Sequence, residues 1–307
     1  MLVKGKVLVT GGAGFVGREV VRQLLRKGYD VTVLDIAEKP DDFKMVNYIK
    51  GDVQKAAKCI MATAGKDFVI HLAAKTRIPD SFIDPDLYFD INVTGTRNML
   101  TAAHAVGIRK FVFASSSSIY GNNPIPHKPF HKPDPLNYYA MTKLFGEQLC
   151  RQYKNVFGLN YNVLRFFTVY GDEQPSDDHN GLMISRFYRM ANENIPLTVH
   201  GDGEYRRDYI HVSDVARACI ASMESKVKSE IFNVGTGENV SVNQVVEILR
   251  EFFPNLKVEN QEKPKGYASE TLADIVKAKK LLGWHPTVDI SNGIRELYST
   301  KKKINET

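Results

Sequence analysis

A phenol and an ammonium stand four residues apart in Tyr139-Ala140-Met141-Thr142-Lys143. On a helix that spacing is about 6 Å of rise along one face, so both groups can enter one cleft. A free tyrosine titrates at about 10 and is a poor base at neutral pH. A neighbouring ammonium would favour the phenolate and lower that value. The plainer alternative is a tyrosine and a lysine on the outside of an amphipathic helix. Tyr138 competes for the role, although its five-residue spacing from Lys143 suits a shared face less well. Upstream, Ser115-Ser116-Ser117-Ser118 follows the apolar run Lys110–Ala114. Hydroxyls at the C-terminal end of a parallel strand sit where open α/β sheets bind ligands, and one of them can relay a proton or hold a reacting oxygen.

A third group of residues points to the cofactor. Gly11-Gly12-Ala13-Gly14-Phe15-Val16-Gly17 follows the strand-like Val7–Thr10 and opens a helical pattern. Glycines there permit a tight turn, close approach of the backbone to a pyrophosphate, and close helix–strand packing, with the helix N-terminus favouring the anion. A purely structural turn would read the same way, but Asp35 ends the second strand about 20 residues after Gly14, where a carboxylate accepts bonds from ribose hydroxyls. A carboxylate repels a 2′-phosphate and no arginine adjoins it, which favours NAD over NADP. Gly12 and Gly17 have the spacing of a P-loop, yet Arg18-Glu19 follows where lysine and serine or threonine are needed. Asp52, in Gly51-Asp52-Val53, is placed to hold an adenine or simply to make a turn.

Such groups need a scaffold, and the apolar pattern supplies one. Strands are expected at Val7–Thr10, Asp30–Leu34, Asp67–Leu72, Lys110–Ser115 and Tyr161–Arg165. Helical spacing separates them, as in Val16, Val20, Val21, Leu24 and Leu25 before Gly28. Alternation of this kind predicts βαβ units and a doubly wound, Rossmann-type parallel sheet covered on both faces. Asp84 to Val106 and Asn137 to Phe157 read as two long helices. After Tyr170 the texture changes: Asp172 to Gly181 is polar and loop-like, and short strands mix with short helices. One helix starts at Ser241, with Gln244 closing a capping box, and another starts at Asp274 and ends before Gly283. The expected division is 1–167 for NAD and 168–307 for a smaller α/β substrate domain, some of whose segments return to the first sheet.

Composition narrows the classes. Of 307 residues, 43% are hydrophobic and 25% charged, enough for one large or two moderate domains. The formal charge of +6 can attract an anionic small molecule, but no basic stripe interleaved with aromatics suggests nucleic acid. No apolar run reaches the roughly 18 residues of a membrane span, and a strand-like segment at Lys6 leaves no room for a leader peptide. Three scattered cysteines, Cys59, Cys150 and Cys219, read as thiols in a reducing compartment. A cytoplasmic location is the expectation. His127 and His131 are four apart, but Pro126, Pro129 and Pro133 argue against a helix that would align them on a metal, and no metal is expected. No G-x-S-x-G elbow supports a hydrolase.

Taken with His71-Leu72-Ala73-Ala74, Asn92, Ser115 to Tyr120-Gly121, Arg207-Asp208-Tyr209-Ile210-His211-Val212 and Leu282-Gly283-Trp284-His285-Pro286, these motifs resemble the extended short-chain dehydrogenase/reductases. Within them, the chain is similar to the nucleotide-sugar 4-epimerases related to UDP-galactose 4-epimerase, from residue 6 to about 286. The resemblance implies Ser116 as the catalytic hydroxyl, Tyr139 as the base, and Lys143 as its partner and ribose ligand. It implies that Gly11, Gly14, Phe15, Val16, Gly17, Asp35, Asp52, Val53, Leu72, Ala73, Ala74, Asn92 and Ser115 join Tyr139 and Lys143 around NAD. Ser116, Ser117, Thr168, Leu182, His200 and Arg207 would meet the nucleotide sugar, Arg207 at its pyrophosphate. A homodimer through a four-helix interface, with Leu100 and Val106 on one long helix and Leu144 and Leu149 on the other, is implied as well.

The reaction implied is a sugar hydroxyl losing its proton to Tyr139 while its carbon gives a hydride to NAD, then return of the hydride to the other face. Dehydratases of this kind carry an Asp-Glu pair, and decarboxylating relatives a Glu, where this chain has Ser117 and Ser118, so epimerisation is preferred. Arg165-Phe166-Phe167-Thr168-Val169-Tyr170-Gly171 is similar to UDP-glucuronate 4-epimerases. These also place a basic residue soon after, where this chain has Asp172-Glu173-Gln174-Pro175-Ser176-Asp177-Asp178. Acidic groups there would repel a uronate, so a neutral UDP-hexose is expected. UDP-glucuronate, a UDP-N-acetylhexosamine, a dehydratase or ketoreductase and a non-catalytic NAD sensor are the alternatives. Two departures bear on the nucleotide base: His200 stands where the family often stacks an aromatic, and Lys263-Pro264-Lys265-Gly266-Tyr267 replaces Arg-x-Gly-Asp or Glu.

Overall fold

The computed structural model describes residues 4–175, 182–262, 266–268 and 270–305. Its first half alternates β1 (Lys6–Thr10), α1 (Phe15–Arg26), β2 (Asp30–Asp35), β3 (Asn47–Lys50), α2 (Ala56–Thr63) and β4 (Phe68–His71). Then follow α3 (Ile78–Ile83), α4 (Pro85–Phe89), α5 (Gly95–Val106), β5 (Lys110–Ser116), α6 (Tyr138–Phe157) and β6 (Tyr161–Phe166). The second half holds β7 (Thr168–Tyr170), α7 (Met183–Asn192), β8 (Leu197–His200), β9 (Arg206–Arg207), β10 (Tyr209–His211) and α8 (Val212–Glu224). It closes with β11 (Glu230–Val234), β12 (Val240–Ser241), α9 (Val242–Arg250), β13 (Val258–Gln261), α10 (Val276–Leu282) and α11 (Ile290–Asn305).

Seven parallel strands make one sheet in the order β11-β6-β5-β4-β1-β2-β3. Both faces are covered, so the central stretches of the inner strands are apolar, as in Val7–Val9 of β1, Phe68–Ile70 of β4 and Phe111–Ala114 of β5. Along β1, Val7 and Val9 pack against Val20, Val21 and Leu24 of α1 and Val215 of α8. Leu8 points the other way, among Met99, Leu100, Phe113 and Cys150. This alternation is the period-two geometry of a strand. β11 returns from the second half to pair with β6, with Ile231 opposite Val163. The remaining strands form three short pairs, β10–β7, β12–β9 and β13–β8. With α7, α9 and α11 these enclose a third core that includes Phe187, Leu197, Val245 and Leu249. All three cysteines are buried free thiols. Among the described residues no helix is long and apolar enough to cross a membrane.

Two expectations need amendment. The helix expected from Asp84 to Val106 is broken into α4, a π-helical turn at Asp90–Thr94 and α5. Asn92 sits in that turn, its side chain bonded to the Lys75 backbone (Nδ2 to O at 2.9 Å, Oδ1 from N at 2.8 Å). Gly95, the first residue of α5, lies so near Val53 that a Cβ would come within 2.7 Å, so only glycine lets the helix pack this close. Leu100, expected at a subunit interface, is fully buried under the sheet. Val106, expected there too, is exposed, and the large apolar side chains left outside on these helices also include Phe89, Met141, Phe145, Val156 and Phe157. The Ser241 capping box is present, with Ser241 N donating to Gln244 Oε1 at 2.8 Å and Gln244 N to Ser241 Oγ at 3.2 Å. α10 begins two residues after Asp274, whose carboxylate accepts from Val276 N.

One buried carboxylate fastens the segment after α10 to the body. Asp214, in the first turn of α8, accepts from Thr287 N at 2.9 Å, Thr287 Oγ1 at 3.0 Å and Val288 N at 3.1 Å, while Trp284 Nε1 donates to its carbonyl. Removing the carboxylate leaves buried donors unmet, which costs on the order of 1–3 kcal/mol. Asp214→Ala is therefore expected to lower Tm by several degrees in a thermal melt, and an unchanged Tm would show that this clamp contributes nothing.

Candidate active site

The glycine turn is shaped by contact. A Cβ on Gly17 would lie 2.0 Å from the carbonyl oxygen of Gly11, one on Gly12 2.6 Å from Val33, and one on Gly11 2.7 Å from the Ala73 amide. Gly11 also has φ +70°, in the left-handed region. The turn thus brings the N-terminus of α1 over the ends of β1, β2 and β4 and leaves room for an anion against the backbone. Asp35, at the end of β2, accepts from Ala13 N at 2.9 Å and Ala37 N at 3.0 Å. These bonds fix both oxygens beside the turn, and each keeps a lone pair for a ribose hydroxyl. Asp52 is engaged by Gln54 through its backbone N at 2.8 Å and its Nε2 at 3.0 Å, the arrangement of a turn-capping residue.

Across the crevice, β5 ends in Ser115 and Ser116 and passes into a 3-10 turn at Ser117–Tyr120. Ser116 Oγ donates to Ser118 Oγ at 3.0 Å and accepts from Ser118 N at 3.1 Å. Asn137 caps α6 by accepting from Ala140 N, and the first turns of that helix bring Tyr139 beside Ser116. Tyr139 is 8% exposed. Burial raises its pKa, and the hydrogen bond with Ser116 opposes that rise. One turn on, Lys143 Nζ donates to the Ala114 carbonyl at 2.9 Å and lies 5.3 Å from the Phe113 ring centroid. Burial pushes Lys143 down to about 8. Tyr138, the competing tyrosine, is half exposed and packs edge-on against Phe82 instead.

A single cleft of about 840 Å³ collects these pieces. Gly11, Gly14, Phe15, Val16, Gly17, Asp35, Asp52, Val53, Leu72, Ala73, Ala74 and Ser115 line one part. Ser116, Ser117 and Tyr139 stand at the middle, and Thr168, Leu182, His200 and Arg207 line the other part. Asn92 and Lys143 are not on the wall. Asn92 stands behind it, its Nδ2 donating to Thr142 Oγ1 on α6 at 2.9 Å, and Lys143 reaches the strand carbonyl from beneath Tyr139. Ser115 lines the cleft, but its hydroxyl is committed to Glu147 at 2.5 Å. Arg207 is held by the carbonyls of Arg206 (2.9 Å) and Ala268 (2.7 Å) with its guanidinium 5.1 Å from the Tyr205 centroid. Burial lowers its pKa.

Several wall residues were not singled out in the sequence: Arg186 and Phe187 on α7 and Tyr205 line the far part of the cleft, and none belongs to a spaced motif. Tyr267 lines it too, from the segment that replaces Arg-x-Gly-Asp or Glu. His200 is on the wall, its Nδ1 donating to the Glu262 carbonyl at 3.0 Å, which leaves Nε2 and the ring face for a ligand. Lys263, Pro264 and Lys265 lie outside the described residues, as do Asp177 and Asp178. Glu173 can be placed, and it departs from the electrostatic expectation. It pairs with Arg22 at 2.7 Å and Arg18 at 3.2 Å on α1, beside Asp42. Two guanidiniums take up its charge, so it does not act as a bare anion toward a substrate.

Comparison with known proteins agrees with this geometry. The model of the NAD dependent epimerase/dehydratase family matches residues 7–235. A UDP-glucuronate 4-epimerase of Thermodesulfobacterium geofontis is 37% identical, over 97% of this chain and 97% of its own. A UDP-glucose 4-epimerase of Corynebacterium glutamicum is 33% identical, over 92% of this chain and 91% of its own. Among solved structures, the UDP-glucuronic acid 4-epimerase of Bacillus cereus in complex with UDP-glucuronic acid and NAD superposes with a TM-score of 0.91 at 30% identity, covering 97% of this chain and 99% of that one.

The glycine turn can be tested directly. Gly17→Ala forces a methyl into the Gly11 carbonyl and displaces α1 from the turn. The purified variant is expected to carry no NAD on acid extraction; a full complement of NAD would show that the contact does not shape the cofactor site.

Proposed function

The chain belongs to the NAD dependent epimerase/dehydratase family, and from that premise we propose that it inverts C4 of a nucleotide-diphosphate hexose, UDP-glucose and UDP-galactose first among them, through a transient 4-keto sugar. What carries this reading is the joining, in one cleft, of the Ser116–Tyr139 pair with the glycine turn and Asp35 on one side and Arg207 on the other. The close-fitting turn and the Asp35 carboxylate suit NAD, which when bound supplies a reversible hydride acceptor. Residues 1–167 carry the cofactor side in this reading and 168–307 most of the nucleotide-sugar side.

Each side chain then has one task. Ser116 holds the C4 hydroxyl, and Tyr139 Oη takes its proton and later returns it. Burial alone favours the neutral phenol, so the phenolate requires positive charge nearby, and in this reading the buried Lys143 ammonium, one helical turn along α6, supplies it. Arg207 meets the diphosphate and anchors the nucleotide while the sugar turns within the cleft. Ser117 and Ser118 supply hydroxyls and no carboxylate, so elimination of water or loss of CO2 has no added acid or base to drive it.

A UDP-uronate is the second reading, favoured by one observation: the Glu173 charge is taken up by Arg18 and Arg22, which removes part of the repulsion expected of that loop. We also propose that the protein is a homodimer. Phe89 and Phe145, 46% and 40% exposed, meet edge-on across α4 and α6 at 6.2 Å and form the center of an exposed apolar strip on adjacent helices.

Incubation of the purified protein with UDP-glucose, UDP-galactose, UDP-glucuronate and UDP-N-acetylglucosamine, without added NAD, is expected to interconvert C4 configurations by NMR while the 340 nm absorbance stays flat; lasting NADH accumulation would contradict epimerisation. Tyr139→Phe should lower kcat by about 10²–10⁴-fold while its circular dichroism and NAD content stay as in the wild type, and undiminished turnover would remove Tyr139 from the mechanism. In sedimentation, the wild type is expected as a dimer and Phe145→Glu as a monomer; a monomeric wild type would refute the dimer.

A further inference from the structure

Glu147 lies four residues beyond Lys143 and eight beyond Tyr139, on the same face of α6. It is 3% exposed, and its carboxylate accepts from Arg165 Nε at 2.9 Å, Arg165 Nη2 at 2.7 Å and Ser115 Oγ at 2.5 Å. Ser115 and Arg165 are register partners across β5 and β6. Arg165 Nη1 donates to the Pro129 carbonyl at 3.0 Å, in the segment between β5 and α6, and the guanidinium covers the Tyr120 ring at 4.8 Å. One carboxylate therefore joins the strand that ends in Ser116, the strand beside it and the helix that carries Tyr139 and Lys143. A well-packed apolar pair would hold those elements together as well. It would not put a negative charge one helical turn from Lys143.

The charged and titratable groups around Lys143 are few. From its own helix come Tyr139 and Glu147, from β4 His71, and from β6, behind the carboxylate, Arg165. His71 is pushed down to about 3 by burial and by Lys143, so it is neutral and adds no charge. Burial disfavours the Lys143 ammonium, and Glu147 is the group that opposes it.

We propose that Glu147 is a positioning residue for the proton-transfer pair: through Ser115 and Arg165 it sets strand end and helix in register, and its charge keeps Lys143 an ammonium beneath Tyr139. The proposal rests on Tyr139 and Lys143 acting as assigned above. Loss of the carboxylate lets Lys143 lose its proton at lower pH, and Tyr139 then loses the cation that favours its phenolate.

The test is the pH dependence of kcat for wild type, Glu147→Gln and Glu147→Asp, each loaded with NAD, using whichever UDP-sugar the wild type converts. In Glu147→Gln the alkaline limb is expected to move down by about one pH unit, with kcat falling about tenfold at pH 9 and KM within twofold. Glu147→Asp, which keeps the charge, retains the wild-type limb even if its kcat is lower. A purely structural role lowers kcat equally at every pH and leaves the limb in place, and that result would overturn the proposal. Glu147→Gln strands the Arg165 charge; should it not fold, Glu147→Gln/Arg165→Met carries the same test without a stranded ion. Failure of both to fold would equally overturn it, since the carboxylate would then serve the fold alone. An inactive wild type, or an active Tyr139→Phe, would sink the underlying assignment instead and is read separately.

Discussion

Parallel strands all end at one edge of a sheet, and the rest of this molecule depends on that constraint. β1, β2, β4 and β5 deliver Gly11, Asp35, Leu72 and Ser116 to the same edge without any long-range guidance beyond pairing. Strand order reverses between β1 and β4, since the chain builds outward from β1 through β2 and β3, then resumes on the other side with β4. The connecting segments diverge there and leave a crevice, and the glycine turn bounds it because Gly17 lets α1 come within contact of the Gly11 carbonyl. The later strands answer the crevice from the opposite side, with β8 and β9 placing His200 and Arg207 on its far wall.

This geometry was largely readable from the chain because it is local. Val7, Leu8 and Val9 are apolar in succession, which only a strand buried on both faces tolerates, and Gly11 to Gly17 follow at once. Tyr139 and Lys143 needed only helical spacing to be placed together. The far wall was harder to read. Tyr205 and Tyr267 come from separate loops, and their meeting depends on how β8, β9 and β13 stack, which no periodicity encodes. Glu147 illustrates a different limit. A glutamate one turn past a lysine on an amphipathic helix reads as a solvated partner, and its burial follows from Ser115 and Arg165 being register partners two strands away. The π-helical turn at Asp90–Thr94 escaped as well, since no periodicity in the stretch from Asp84 to Val106 marks it.

Electrostatics inside the cleft oppose the chemistry that its residues suggest. Desolvation disfavours a phenolate and an ammonium alike, so burial by itself leaves Tyr139 protonated and brings Lys143 closer to neutral. In the proposed mechanism the two ions, one helical turn apart, would have to be disfavoured together, because a buried ion with a partner of opposite sign survives desolvation better than either ion alone. The Ala114 carbonyl and the Phe113 ring face add negative potential on the lysine side, and Ser116 adds a hydrogen bond on the tyrosine side.

Charge in a sequence and charge at a site are different quantities, and the loop after β7 makes the distinction concrete. Read as a string, Asp172 and Glu173 are two anions close to the substrate end of the cleft. In the fold, Glu173 adopts a left-handed backbone (φ 61°) and its side chain runs back to Arg18 and Arg22. Arg18 stands where a P-loop would have its lysine and Arg22 lies on the next turn of α1, so one residue that argues against nucleotide hydrolysis also helps to neutralise the acid. An anion paired at 2.7 Å presents a dipole to its surroundings, and a dipole falls off faster with distance than a charge does. Selectivity against a carboxylated sugar therefore cannot be assigned to Glu173. Thr168 and Arg186 are among the groups that line the substrate part of the cleft, and a guanidinium or a hydroxyl can receive a carboxylate as well as a neutral hydroxymethyl group, so this lining does not by itself select against a uronate.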